Sequence, residues 1–382
     1  DHRDLHSFPT RRSSDLQSIN LTDDKPISAF NVFSEVSVVQ FDTGNDYLIG
    51  DPSVIHYHDG HYYILDSKTQ QLFCFDEQGN FKFKIANQGK GPEEYNYITE
   101  FSIDANNEML LIMDPVLQYV HYYSLQGTYL RTLRVNTGKV MGLNKVYALN
   151  DSTLIVTSIT DEQLLFVDKN TGEVLRTAFP CPVKTSHLQA FIPNELIYPF
   201  DGALYIMPAL SQEVQRVVDL TTTQHHSWDF EKQNNSPQQV QNLIKKIEAG
   251  NRYTLPSEEV GRGKLLNHHF MKLFETKKFL LAILEFDDNF VHVIFDKENK
   301  KPNVFKTFTE GISMYTFFFT ADRAIGIERG IASYIQENVP ELSRRAYSFY
   351  NLKMLSASDR QIIEKHDPLN DNPFMVVYKF KE

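Results

Sequence analysis

The chain has 382 residues, 41% of them hydrophobic and 13% aromatic, with Tyr and Phe far outnumbering the single Trp228. Its 38 Lys and Arg against 49 Asp and Glu leave a net charge of -11 and no basic stripe. That excludes nucleic acid as a main partner, because phosphate binding needs clustered cations, and the most apolar runs, such as Phe279–Phe286, fall far short of the roughly 18 residues of a membrane helix.

The N-terminal stretch His6–Leu16 has no hydrophobic period and no helix cap, and it back-translates into a widely used DNA-sequencing adapter. Residues 1–16 are therefore expected to be an assembly artefact and 17–34 a linker, with any signal peptide or lipid-attachment cysteine encoded upstream. The cut leaves the charge unchanged, since it removes three Arg and three Asp.

From there the chain repeats itself. Tyr62-Tyr-Ile-Leu-Asp66 and Phe73-Cys-Phe-Asp-Glu-Gln-Gly79 precede the segment Gln88–Tyr95, and Met109-Leu-Leu-Ile-Met-Asp114 and His121-Tyr-Tyr-Ser-Leu-Gln-Gly127 follow it, each 48 residues on. Equivalent second-strand positions continue as Tyr63, Leu111, Ile155, Tyr205, Leu281 and Ile325, at steps of 48, 44, 50, 76 and 44 residues. Short β-rich runs at such spacing, separated by turn residues, are the pattern of propeller blades. Six units follow, so 35–382 reads as one all-β domain, a six-bladed β-propeller with four-stranded antiparallel blades.

The one long step contains Glu231 to Gly263. Ser236-Pro237 supplies a cap and a first-turn proline, Val240, Leu243, Ile244 and Ile247 follow at helical spacing, and Gly250 ends the run. This predicts a helical insertion between blades 4 and 5, packed as a cap on its own domain. Between Ile331 and His366 the pattern is mixed and partly helical, making blade 6 irregular. A ring needs its ends stitched together, and Glu35–Phe41 and Phe374–Phe380 are strand-like and left over, so both are placed in the sixth blade. Cys74 lies in a strand of the first unit and Cys181 in a Pro-flanked link after the third, so no disulfide is expected.

On Val38–Thr43, Leu48-Ile-Gly50, Tyr63–Asp66, Phe75–Gly79, Gly89-Lys-Gly-Pro-Glu-Glu-Tyr95, Phe101–Asp104 and Asp371–Lys379, residues 30–382 resemble the six-bladed β-propeller family common in Bacteroidetes. Glu93 stands where that family's Gly-Pro-Gly-Glu-Tyr motif has its second glycine. NHL-repeat and TolB-like propellers are looser relatives by architecture. The resemblance implies a secreted protein or lipoprotein of the cell envelope, in the periplasm or at the surface, and carries no catalytic signature.

The sequence holds no zinc-protease, P-loop, nucleophile-elbow or EF-hand pattern. In a propeller the first strand of each blade lines the channel, so His56 and His58, two apart on one face, are candidate channel ligands, with His61 after the next turn and His268 and His269 at the start of blade 5. Asp66 and Asp114 read as turn-forming carboxylates. At the junction formed by Gly89, Gly91, Pro92, Glu93, Glu94 and Tyr95, Pro92 should fix the link and Tyr95 should pack between blades with its hydroxyl on backbone. The expected function is non-catalytic binding of a glycan, peptide or envelope protein by a monomer, without a cofactor. The alternative is a lactonase- or lyase-like enzyme holding a divalent metal, with converging imidazoles in the channel.

Overall fold

The computed structural model describes residues 16, 18–91, 93–138, 142–182, 196–249, 265–328 and 348–382. The expectations for 1–15, for Pro92, for Gly250 and the end of the insertion, and for 331–347 lie outside these residues.

Among the described residues, twenty-four strands form six antiparallel sheets of four. Strand β1 (Phe33–Gln40) comes first. Blade 1 follows with β2 (Pro52–His58), β3 (His61–Asp66), β4 (Gln71–Asp76) and β5 (Phe81–Ile85), and blade 2 with β6 (Glu100–Asp104), β7 (Met109–Asp114), β8 (Tyr119–Ser124) and β9 (Tyr129–Arg134). Blade 3 comprises β10 (Leu143–Ala148), β11 (Thr153–Ser158), β12 (Glu162–Asp168) and β13 (Val174–Pro180), and blade 4 β14 (Ile197–Phe200), β15 (Ala203–Ile206), β16 (Glu213–Val218) and β17 (Thr221–Ser227). Blade 5 is β18 (His268–Glu275), β19 (Phe279–Phe286), β20 (Asn289–Asp296) and β21 (Lys301–Phe305). In blade 6, β22 (Phe318–Thr320), β23 (Arg323–Ile327) and β24 (Phe374–Phe380) accept β1 as the outermost strand. Each second-strand marker lies in the second strand of its blade.

The ring closes as expected. Phe33 pairs with Phe380, Val36 with Tyr378 and Val38 with Val376, so the first strand hydrogen-bonds to the last and no open edge separates the chain ends. Middle strands are buried on both faces because blades stack face to face, which explains continuous apolar runs such as Leu110–Met113. Outer strands such as β5 and β13 alternate or turn polar, since one side meets water.

Neighbouring blades are clipped at their outer turns. Gly79 and Gly172 hold φ of 87° and 77°, and their carbonyls accept from Asp42 N and Asn136 N in the links of the preceding outer strands, each at 2.8 Å. A Cβ on Gly172 would sit 1.8 Å from the Arg134 carbonyl oxygen, so both dihedral and space demand glycine.

The insertion supplies α1 (Pro237–Ala249). Ser236 Oγ accepts from Gln239 N while Gln239 Oε1 accepts from Ser236 N, a reciprocal cap. Leu243 and Ile247 are buried against Ala209, Leu266 and Cys181, so this helix caps its own domain. A second helix, α2 (Ala357–Lys365), lies in blade 6. Both cysteines are buried and free.

The segment expected as a linker is instead part of the packed body. Ile19 and Leu21 are buried with Trp228 and Phe230 of blade 4 and Phe270 of blade 5, and Ala29 and Val32 join the blade 5–6 core. Ile19 N donates to Asp229 O and Lys25 N to Val304 O, making this segment a strap across blade edges. Its few apolar residues lack a strand period, which hid the packing from the sequence.

Candidate functional site

The innermost strands of all six blades enclose a cavity of about 250 Å³. His56, Glu100, Lys145, Tyr198, Phe274 and Phe318 come one from each blade, and Tyr147, Phe319 and Thr320 complete much of the wall. Bulky aromatics meet here because the six strands converge on one axis and each directs alternate side chains inward.

Three of the polar groups form one chain. Lys145 Nζ lies 2.6 Å from Glu100 Oε2, and His56 Nε2 lies 4.0 Å from Glu100 Oε1 and 3.0 Å from Phe101 O. Burial lowers the pKa of His56, against the pull of Glu100 in the other direction, so the ring is neutral and its Nε2 carries the proton donated to Phe101 O. Glu100 and Lys145 are both nearly enclosed and compensate each other, so the charged groups of the wall are concentrated at one point, while Ser53, Thr99, Thr320, Tyr147 and Tyr198 add uncharged hydroxyls among its apolar residues. Tyr198 donates to Glu275 Oε2 at 3.2 Å, and burial, then Glu275, raises its pKa well above the ordinary phenol value, so it remains a hydroxyl.

The predicted channel histidines separate. His56 lines the cavity. His58 is farther along β2 and pairs with His61 across the Asp59–Gly60 hairpin turn, where His61 Nδ1 contacts Asp59 O at 2.7 Å. His268 is buried away from the cavity, its Nδ1 2.9 Å from Gln233 O and its ring between Phe230 and Phe270. His269 follows it and pairs with Glu285, whereas β18 meets the cavity through Leu273 and Phe274. Strand β18 begins outside the ring's centre and reaches the axis only near its end, so being first in a blade did not make these histidines neighbours of His56.

The acidic turn residues act as expected. Buried Asp66 accepts from Gly50 N and Asp51 N before its blade and from Lys68 N and Thr69 N after its strand. Asp114 repeats this with Asn96, Tyr97, Val116 and Leu117. At the junction, Gly89 N donates to Tyr95 O, and Glu94 Oε2 accepts from Gly91 N at 2.6 Å. The Glu94 carboxylate occupies the space a Cβ on Gly89 would fill, so these glycines make room for an acid. Glu93 is exposed. Tyr95 is fully buried between blades 1 and 2 and donates to Gln70 O at 2.6 Å.

Two further groupings were missed from the sequence. Lys145 and Glu100 carry no motif, and their pairing needs blades 2 and 3 in register. Among the described residues, the set of three metal-type side chains that converges is His225, His226 and Glu275, behind Tyr198 between blades 4 and 5. An adjacent His-His pair was the available clue.

Comparison with known proteins bears on the architecture. The chain superposes on a protein of Bacteroides fragilis assigned as exported, with TM-score 0.73 and 16% identity over 94% of this chain and 98% of that one. A DUF4221-family protein of Bacteroides vulgatus gives TM-score 0.51 and 12% identity over 92% and 97%. No curated protein sequence matches. Among the described residues no helix is long and apolar enough to cross a membrane. A family model described as a six-bladed β-propeller matches residues 10–328, so the chain belongs to the DUF5128 family of six-bladed β-propellers.

Proposed function

We propose that this protein is a non-catalytic binding propeller of the bacterial cell envelope, taking a small polar ligand with one apolar face, such as one sugar ring of a glycan or the end of a peptide, in the central cavity. The observation that carries this reading is the cavity's composition: aromatic walls around one charged pair, Glu100 and Lys145, with hydroxyls of Thr99, Thr320 and Tyr198 among them. Such a lining offers stacking surfaces and a few hydrogen-bonding groups, the common make-up of a small-ligand site. Its volume of about 250 Å³ suits one ring rather than an extended chain. The envelope location is supported by the Bacteroides fragilis neighbour assigned as exported.

The test is a thermal-shift and calorimetric screen of mono- and oligosaccharides and short peptides against the wild type and the His56→Ala and Phe318→Ala variants. A ligand that raises the melting temperature of the wild type and loses affinity in both variants supports the cavity as the site. Ligand-induced shifts unchanged by either substitution would refute it, as would turnover of a lactone or glycan that depends on added metal.

A further inference from the structure

We propose that His225, His226 and Glu275 form a binding site for a divalent transition metal of the zinc class, bridging blades 4 and 5. Their ligand-type atoms lie within 4.8 Å of one another, and His225 Nε2 is 3.1 Å from Glu275 Oε2. Ligands about 2.0–2.1 Å from a tetrahedral metal sit about 3.3 Å apart, so that pair already has the required spacing and a small rotation of His226 completes the set. Two imidazoles and a carboxylate are a donor set suited to zinc, with a fourth position left for water.

The backbone is shaped to bring the histidines together. On a regular strand consecutive side chains point to opposite faces, yet His226 pairs with Val214 while Gln224 pairs with Gln215, leaving His225 as the extra residue of a bulge. The bulge turns His225 toward Glu275, and the two imidazole centroids lie 4.9 Å apart.

The second observation is His226 itself. It is 4% exposed, and neither ring nitrogen has a hydrogen-bond partner. A buried imidazole whose ring packs on His225 and Trp228 but whose nitrogens bond to nothing has given up its hydrogen bonds to water without replacement, which a metal would reverse. Glu275 is held from its other side, Lys297 Nζ lying 2.5 Å from Oε1, and Oε2, which also accepts from Tyr198, is the oxygen nearer His225, at 3.1 Å against 3.4 Å for Oε1. The partly exposed His225 leaves a route from solvent.

The experiment is titration of chelator-stripped protein with Zn²⁺, followed by calorimetry and melting temperature, with Co²⁺ as an absorption probe. The wild type should bind one equivalent that is lost in His225→Ala, in His226→Ala and in the double variant, which also measures background binding by the other histidines. Zn²⁺ should raise the melting temperature of the wild type but not of these variants. In Lys297→Met, where a repelling ammonium is gone and Glu275 keeps only Tyr198 and His225 as partners, Zn²⁺ should bind more tightly and stabilise more than in the wild type. Wild-type binding no tighter than that of the double variant, or weaker binding in Lys297→Met, would overturn the proposal.

Discussion

Lys145 of blade 3 and Glu100 of blade 2 meet at 2.6 Å on neighbouring inner strands, both almost enclosed in the wall of the central cavity. Removing one partner of such a pair strands a charge, whereas removing both does not. Lys145→Met alone should cost about 3 kcal/mol, and the Lys145→Met/Glu100→Leu double variant should recover most of that loss. Urea unfolding of the four proteins in a double-mutant cycle gives the coupling directly, and additive losses would show the pair to be independent.

Gly172 and Gly202 separate conformational cost from crowding. Both have positive φ, but a Cβ at Gly202 meets nothing within 4 Å, whereas at Gly172 it strikes the Arg134 carbonyl. Gly202→Ala should cost about 1 kcal/mol and Gly172→Ala at least about 2 kcal/mol, because the blade 2–3 clip must shift as well. Equal losses in melting temperature would mean that the clip yields freely.

Tyr95 places a buried hydroxyl on Gln70 O between blades 1 and 2. Tyr95→Phe keeps the packing and deletes that bond, so about 1–2 kcal/mol should be lost in denaturant unfolding. No measurable loss would reduce the junction tyrosine to its ring.

His292 makes stability depend on pH. Its Nε2 accepts from Met314 N at 3.0 Å and its Nδ1 faces Phe305 O, so a second ring proton would point at a backbone N–H. Burial pushes its pKa down to about 4 from 6.5. Because the folded value is the lower one, the unfolded chain binds more protons in this window. The stabilisation is complete above about pH 6.5 and is lost as the pH falls toward 4. His292→Gln should therefore reduce the stability difference between pH 7 and pH 5 by about 2 kcal/mol, read from urea midpoints. An unchanged difference would place the pH dependence elsewhere, for instance at His268, which burial also lowers to about 4.

Much of the fold was legible because blades repeat local chemistry. Asp66 and Asp114 close their turns with backbone N–H groups close in sequence, and Tyr95 follows a glycine-rich link, so residue type and spacing carried the meaning. The candidate sites were less legible. His56 was found at the cavity, but His268 shared its rank in a blade without sharing its height along the axis. Strand order says which element is innermost; it does not say which residue of a strand reaches the centre.

The sequence by itself determined six blades, an inserted helix, the sharing of the sixth blade by the first and last strands and the aspartate turns; blades, helix and turns follow from hydrophobic period and turn preference along a short stretch of chain, and the shared blade from the need to close the ring. Only the tertiary structure decided that Glu100, Lys145 and His56 share one polar point, that residues 18–34 strap the blades, and that a bulge turns His225 and His226 toward Glu275. Those relationships join blades through converging inner strands and packed faces, and contacts of that kind depend on relative height and rotation that no local pattern encodes.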